Sequence, residues 1–405
     1  MHKDGDRAGL SRRATLALGL ATALPARAQK TYGPGVSDTE IKIGNILPYS
    51  GPASSYGTMG KALQGYFNKV NAQGGVNGRK LKLISLDDGY NPAKTVEQAR
   101  KLVEQEEVLF IGAVLGTATN LAIQKYMNAR KVPQLFVQSG ASRWNDPKAF
   151  PWTMGFQTSY QVEAAIHARH ILQHAPAAKI GVLYQNDDLG KDYLKGFLEA
   201  LGDKAKAMVV AQLSYEFSDP TIDSQLVQLR AAGADTFFNV STPKFAAMAI
   251  RRSAEMGWKP THYLASVSAS LQSVIKPAGI ENAQGVITAT FMRDPSETAE
   301  RDTPEVREFT AFMAQHYPEG NPYETLNALA YSMGQLMEKV LQQAGEQLTR
   351  ENVMRQAAAL DLTLPMVRAG MRVKTSPSDY APLEQLQMLR LKGDTYERFG
   401  PVLPS

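Results

Sequence analysis

Between residues 108 and 144 the sequence VLFIGAVLGTATNLAIQKYMNARKVPQLFVQSGASRW passes through an apolar run, a glycine-broken loop, a helical segment, a second apolar run and a second loop. Apolar runs of four to seven residues bounded by Gly, Pro and Ser read as buried strands rather than helices. The loop after the first run offers Gly116, Thr117, Ala118, Thr119 and Asn120; the loop after the second offers Ser139, Gly140, Ala141 and Ser142. In an open α/β sheet, ligands lie beyond the carboxyl ends of the strands. Small residues entering a helix N-terminus suit an anion such as a carboxylate. The same residues are also ordinary helix caps, so these loops alone leave binding and capping both open.

The surrounding chain repeats this grammar. Residues 40–47 alternate and then turn apolar as a first strand, and 48–57 break it before a helix over 58–71. A Gly-rich turn at 74–78 leads to a strand over 80–86, Asp87-Asp88 end it, and a helix follows over 92–106. After a helix over 160–174 the pattern restarts: strands at 179–184, 207–214, 236–240, 263–267 and 285–291 alternate with helices at 190–201, 222–232 and 244–256. Helices over 304–316 and 323–344 and a tail of strands and turns complete the chain. Alternating βα units specify doubly wound parallel sheets, and two separate series of them imply two Rossmann-like lobes.

Composition narrows the function. The 405 residues suffice for two domains, and there is no Cys, which excludes disulfides, thiolate metal sites and a thiol nucleophile. Of the formal charge of +5, residues 1–28 hold five Lys/Arg and two Asp, leaving 39 Lys/Arg against 37 Asp/Glu beyond them. Such interspersed charge gives no footprint for nucleic acid. The first 28 residues combine a basic start, a short apolar segment and Ala26-Arg27-Ala28, an export signal with cleavage near Ala28. Arg12-Arg13 in this segment leaves the twin-arginine and general routes both open.

Catalytic constellations are lacking. There is no Walker loop, no GxGxxG after a strand and no GxSxG elbow, so the reading is a non-enzyme without cofactor. His167, His170 and His174 share a helix face, a spacing that a metal could use and that a surface helix shows more often. Tyr56, Trp144, Trp152 and Tyr184 lie near strand ends and are candidates to wall an apolar ligand.

From residue 40 onward the chain resembles the exported solute-binding proteins of ABC importers, in the branch of leucine/isoleucine/valine and related receptors. The stretches carrying this are ILPYSGPASSYG (46–57), VNAQGGVNGRKLKLISLDDGYNPAKTVEQARKLV (70–103), GTATN (116–120), VPQLFVQSGAS (132–142) and DDLGKDYLKGF (187–197). The resemblance implies an α/β fold of type I periplasmic binding protein: two Rossmann-like lobes with parallel sheets, joined by a three-stranded hinge. Lobe one is then 38–156 with 289–363, and lobe two 157–288 with 364–405. It further implies a periplasmic monomer that takes a small-molecule carboxylate and hands it to an ABC permease and its ATPase at the inner membrane. A ligand-sensing regulatory receptor of the same fold is the alternative.

By the same resemblance the ligand's carboxylate is held by Gly116, Thr117, Ser139, Gly140 and Ser142, and Tyr56 covers the ligand. Opposite them fall Leu189 and Ser241 or Thr242, where the family carries tyrosines. The family acid that pairs with an α-ammonium aligns with Val267, and residues 264–268 contain no Asp or Glu. A buried ammonium without a counter-charge is costly. Either Asp187 or Asp188 substitutes, or the ligand lacks an ammonium, which places aromatic and aliphatic acids beside hydrophobic amino acids.

Overall fold

The computed structural model describes residues 30–404; the expected export signal at 1–28 lies outside them. The first sheet is wholly parallel and contains β1 (Glu40–Leu47), β2 (Lys80–Asp87), β3 (Phe110–Gly112), β4 (Gln134–Val137) and β5 (Thr153–Gly155) in the order β2-β1-β3-β4-β5. Helices α1 (Thr58–Ala72), α2 (Pro92–Arg100) and α3 (Thr117–Ala129) connect its first four strands. β3 and β4 are buried throughout, which is why both read as unbroken apolar runs.

The chain leaves this sheet through residues 156–159 and enters α4 (Tyr160–His174). The second sheet then forms from β6 (Ile180–Gln185), β7 (Val209–Tyr215), β8 (Thr236–Val240), β9 (Thr261–Leu264) and β10 (Ile287–Thr290), with α5 (Asp188–Leu201), α6 (Asp223–Ala231) and α7 (Pro243–Glu255) between strands. After α8 (Pro304–His316), α9 (Thr325–Ala344) and α10 (Arg350–Ala357), the tail adds β11 (Gln385–Lys392) and β12 (Thr395–Pro404). The order is β12-β11-β10-β9-β8-β6-β7; β6 to β10 pair in parallel, whereas β11 and β12 are antiparallel. The second sheet is therefore mixed rather than purely parallel, because a short hairpin after Lys392 returns the chain beside itself.

Helices α8 and α9 pack back on the first lobe. Tyr66 of α1 meets Phe312 and Tyr331 edge-on or tilted at 6.0 and 5.2 Å, and Gly334 leaves room for its ring, since a Cβ there would lie 2.5 Å away. The segments linking the lobes run side by side. Arg293 N–H donates to the Met366 carbonyl and Arg368 N–H to that of Phe291, while the rings of Phe156 and Phe291 meet at 5.8 Å. Beside them lies a buried ionic cluster: Arg293 with Glu300, Arg368 with Glu297 at 2.7 Å, and Arg398 with both glutamates at 3.1 Å.

Strand order fixes where a ligand goes. The first sheet reverses direction of winding between β1 and β3, and the second between β6 and β8. At each such point the loops leaving the two strands diverge and open a crevice. In the first lobe those loops carry Tyr56 and Gly116; in the second they carry Leu189 and Thr242.

Candidate functional site

The two crevices face each other around a cavity of about 100 Å³. That is the scale of the ~150 Å³ apolar cavity that accommodates benzene. Tyr56, Tyr90, Leu115, Gly116 and Gln138 wall it from the first lobe, Tyr160, Glu163, Leu189, Thr242, Ser266 and Val267 from the second, and Gln157, Thr158, Phe291 and Asp294 from the linking segments.

Five of the residues expected from sequence meet here: Tyr56, Gly116, Leu189, Thr242 and Val267. The Tyr56 hydroxyl donates to the Val267 carbonyl at 3.0 Å, joining the lobes across the cavity. Gly116 has φ +97°, and a Cβ on it would lie 2.6 Å from the Tyr90 ring; only glycine lets the loop come this near the tyrosine.

Thr117 and Ser139 are one layer back. Their hydroxyls lie 2.7 Å apart, and Ser139 Oγ also accepts from Trp144 Nε1 at 2.9 Å. Both are fully buried and support the loop instead of lining the cavity. Gly140 is required by packing, because a Cβ there would lie 2.4 Å from the Thr158 carbonyl oxygen. Tyr160 bridges the two layers: it lines the cavity and stacks on Tyr193 at 4.4 Å. Burial pushes its phenol up to about 12 against the opposing effect of the neighbouring Ser139, Gly140 and Thr117.

Ser142 and Ser241 are not brought to the cavity. Ser142 is exposed, with its N–H and Oγ donating to the Asp192 carboxylate of α5 at 2.8 and 2.9 Å. It is a latch between lobes. Ser241 is buried, and its hydroxyl is committed to Asn239 Oδ1 while its neighbour Thr242 takes the place at the wall.

Nor do Asp187 and Asp188 reach the cavity wall. Asp187 caps α5 through Gly190 N–H at 3.2 Å, and Asp188 is exposed. At the turn after β2, Asp87 accepts from Ser50, Gly89, Lys94 and Tyr49. Burial opposes its charge, yet these bonds hold its carboxyl well below the usual range. His167 is fully buried against Phe238 and Tyr263, contrary to a surface face for that helix.

An acid does reach the 264–268 turn, from α4. The Glu163 carboxylate accepts Ser266 N–H and Oγ at 2.6 Å each and the Tyr193 hydroxyl at 2.8 Å, beside Val267. The strand-end alignment could not show this, since the acid reaches that turn through tertiary packing. One sequence signal existed: Glu163 lies on the apolar stripe of α4, with Tyr160, Ala164 and Ile171.

The model of the periplasmic binding protein family matches residues 40–395. The chain belongs to that family of solute-binding receptors. Among curated relatives, Leu/Ile/Val-binding protein homolog 7 of Brucella suis is 25% identical over 297 residues, 71% of this chain and 73% of its own. A branched-chain amino acid ABC transporter protein of Thermus thermophilus, solved with valine bound, superposes with TM-score 0.79 at 18% identity, covering 91% of this chain and 98% of that one. A solute-binding protein of an R. palustris ABC transporter, solved with benzoate, gives 0.77 at 19%, covering 90% and 98%. These solved structures share the fold of type I periplasmic binding proteins. No helix among the described residues is long and apolar enough to cross a membrane.

Proposed function

We propose that the protein is the exported substrate-binding component of an ABC importer, active in the periplasm as a monomer without cofactor. It captures a small carboxylate, either a hydrophobic amino acid or an aromatic or aliphatic acid. Closure of lobe one (38–156 and 289–363) on lobe two (157–288 and 364–405) then presents the loaded form to a membrane permease and its ATPase. The observation that carries this reading is the cavity between the switch points of two sheets, bridged by Tyr56.

Gly116 and its backing pair Thr117 and Ser139 form the carboxylate side, where the N-terminus of α3 favours negative charge. Tyr56, Tyr90, Leu189 and Val267 supply apolar wall. The relatives solved with valine and with benzoate support a carboxylate of this size. The test is a thermal-shift panel of amino acids and organic acids. A ligand at ~100 times its dissociation constant stabilises by about 2.7 kcal/mol; a flat panel at millimolar carboxylate would remove this reading.

A further inference from the structure

We infer that Glu163 is the residue that recognises a cationic nitrogen on the ligand, so that the captured carboxylate is a zwitterion; this rests on the carboxylate reading above. Glu163 lines the cavity and is only 2% exposed. It receives three hydrogen bonds and donates none, the pattern of a carboxylate. A buried carboxylate needs a counter-charge. Among the described residues, the cavity lining contains no Lys, Arg or His. The one basic side chain within 4.0 Å of Glu163 is His167, at 3.7 Å, and neither of its ring nitrogens makes a hydrogen bond.

The protein therefore surrounds Glu163 with dipoles, and His167, behind it on α4 and outside the cavity lining, is the one protein group placed to share its charge. Three donors occupy three of about four acceptor positions on the two oxygens. What remains suits one N–H of an ammonium. The carboxylate loops at Gly116 lie in the other lobe, so a ligand with anion and cation on one carbon binds both lobes at once. An acid on a helix, holding the turn that follows β9, thus takes over the role left vacant by Val267. The competing possibility is that Glu163 only fixes the Ser266 turn.

Isothermal titration with three matched probes separates these: L-leucine, 4-methylpentanoate, which lacks the amine, and 3-methylbutylamine, which lacks the carboxylate. The phenylalanine, 3-phenylpropanoate and 2-phenylethylamine set is run alongside. The expected result is that an amino acid binds at least tenfold more tightly than its deaminated partner. E163Q, with an unchanged melting temperature, should abolish that preference.

Equal or tighter binding of the deaminated acids overturns the role of Glu163 and leaves the carboxylate reading standing. Binding of the amines without either acid supports Glu163 and overturns the carboxylate reading. Binding by none of the probes overturns both. A uniform loss across all probes in E163Q marks the residue as structural. If E163Q fails to fold, a wild-type ranking that favours the deaminated acids still overturns the role, and D294N, which neutralises the other acid of the wall, must leave the amino-acid preference in place; loss of the preference in D294N overturns the assignment to Glu163.

Discussion

Tyr56 is the residue at which local sequence becomes a contact between lobes. It follows the Ser50-Gly51-Pro52 break after β1, in a short 3-10 turn, and its ring is 7% exposed. Its single cross-lobe bond to the Val267 carbonyl is worth roughly 0.5–1.5 kcal/mol net. Tyr56→Phe keeps the ring and removes the bond, so ligand affinity should fall about 2- to 13-fold with the order of ligands unchanged; calorimetry reads this directly. Gly116→Ala should do more, because it forces a side chain into left-handed backbone and against Tyr90. A destabilisation of about 1–3 kcal/mol is expected in denaturant melts, with loss of binding. Tyr56 and Gly116 were legible in the sequence because each stands beside a strand end with a residue type the position demands. Glu163 and Tyr90 were not. Glu163 reaches a turn 103 residues away. Tyr90 is turned inward by an Asx-type bond from its own N–H to Asp88 at 2.9 Å, at φ +62°.

At the scale of elements, periodicity revealed most of the strands and helices, since buried parallel strands cannot be mistaken for polar loops. The tail was the weaker part. Only its pairing with β10, from Ile287↔Arg390 to Thr290↔Gln387, shows that β11 extends the second sheet, and pairing partners leave no local trace. The ionic cluster of the linking segments joins residues 293–300, 368 and 398 across all that separates them in sequence. Replacing Arg368 by Met takes from Glu297 its closest partner and leaves it only the half-exposed Arg398; the cost should stay below the ~3–5 kcal/mol of a buried charge left wholly unpaired, visible as a lowered denaturation midpoint.

Next to this cluster, Asp294 lines the cavity between the lobes. Burial, helped by Glu297, pushes its carboxyl up to about 6 despite hydrogen bonds from Ser296 and the charge of Arg368. The folded state thus holds this proton more tightly than the unfolded chain does. Its contribution is fully present below about pH 4 and declines until about pH 6, then stays level. Asp294→Asn should therefore be more stable than wild type at pH 7, by of order 2 kcal/mol, and the advantage should vanish near pH 3.5. Urea titrations of both proteins at the two pH values measure it. An advantage that grew on acidification would reverse the assignment.

For the whole molecule, the decisive property under the proposed function is the balance between open and closed cleft. Ligand affinity through a closed state is reduced by the fraction of the protein already competent to bind. Contacts outside the cavity therefore tune affinity without touching the ligand. Ser142 is such a contact: both its N–H and its hydroxyl reach Asp192, which also accepts from Gln161 at 2.6 Å. Because the latch is at the surface, its worth stays at the modest end for charge-assisted bonds, roughly 0.5–1.5 kcal/mol. Asp192→Ala should shift the ligand-free protein toward a larger radius of gyration in small-angle scattering. It should weaken every ligand by the same 2- to 13-fold factor and reach the wild-type radius once saturated. A change in the ranking of ligands would mean that Asp192 acts on the cavity itself. An unchanged radius with unchanged affinity would mean that the lobes are held together by Tyr56, by the Ser270 to Glu324 bond at 2.8 Å and by the Tyr90–Phe217 contact at 4.8 Å, with no help from the latch.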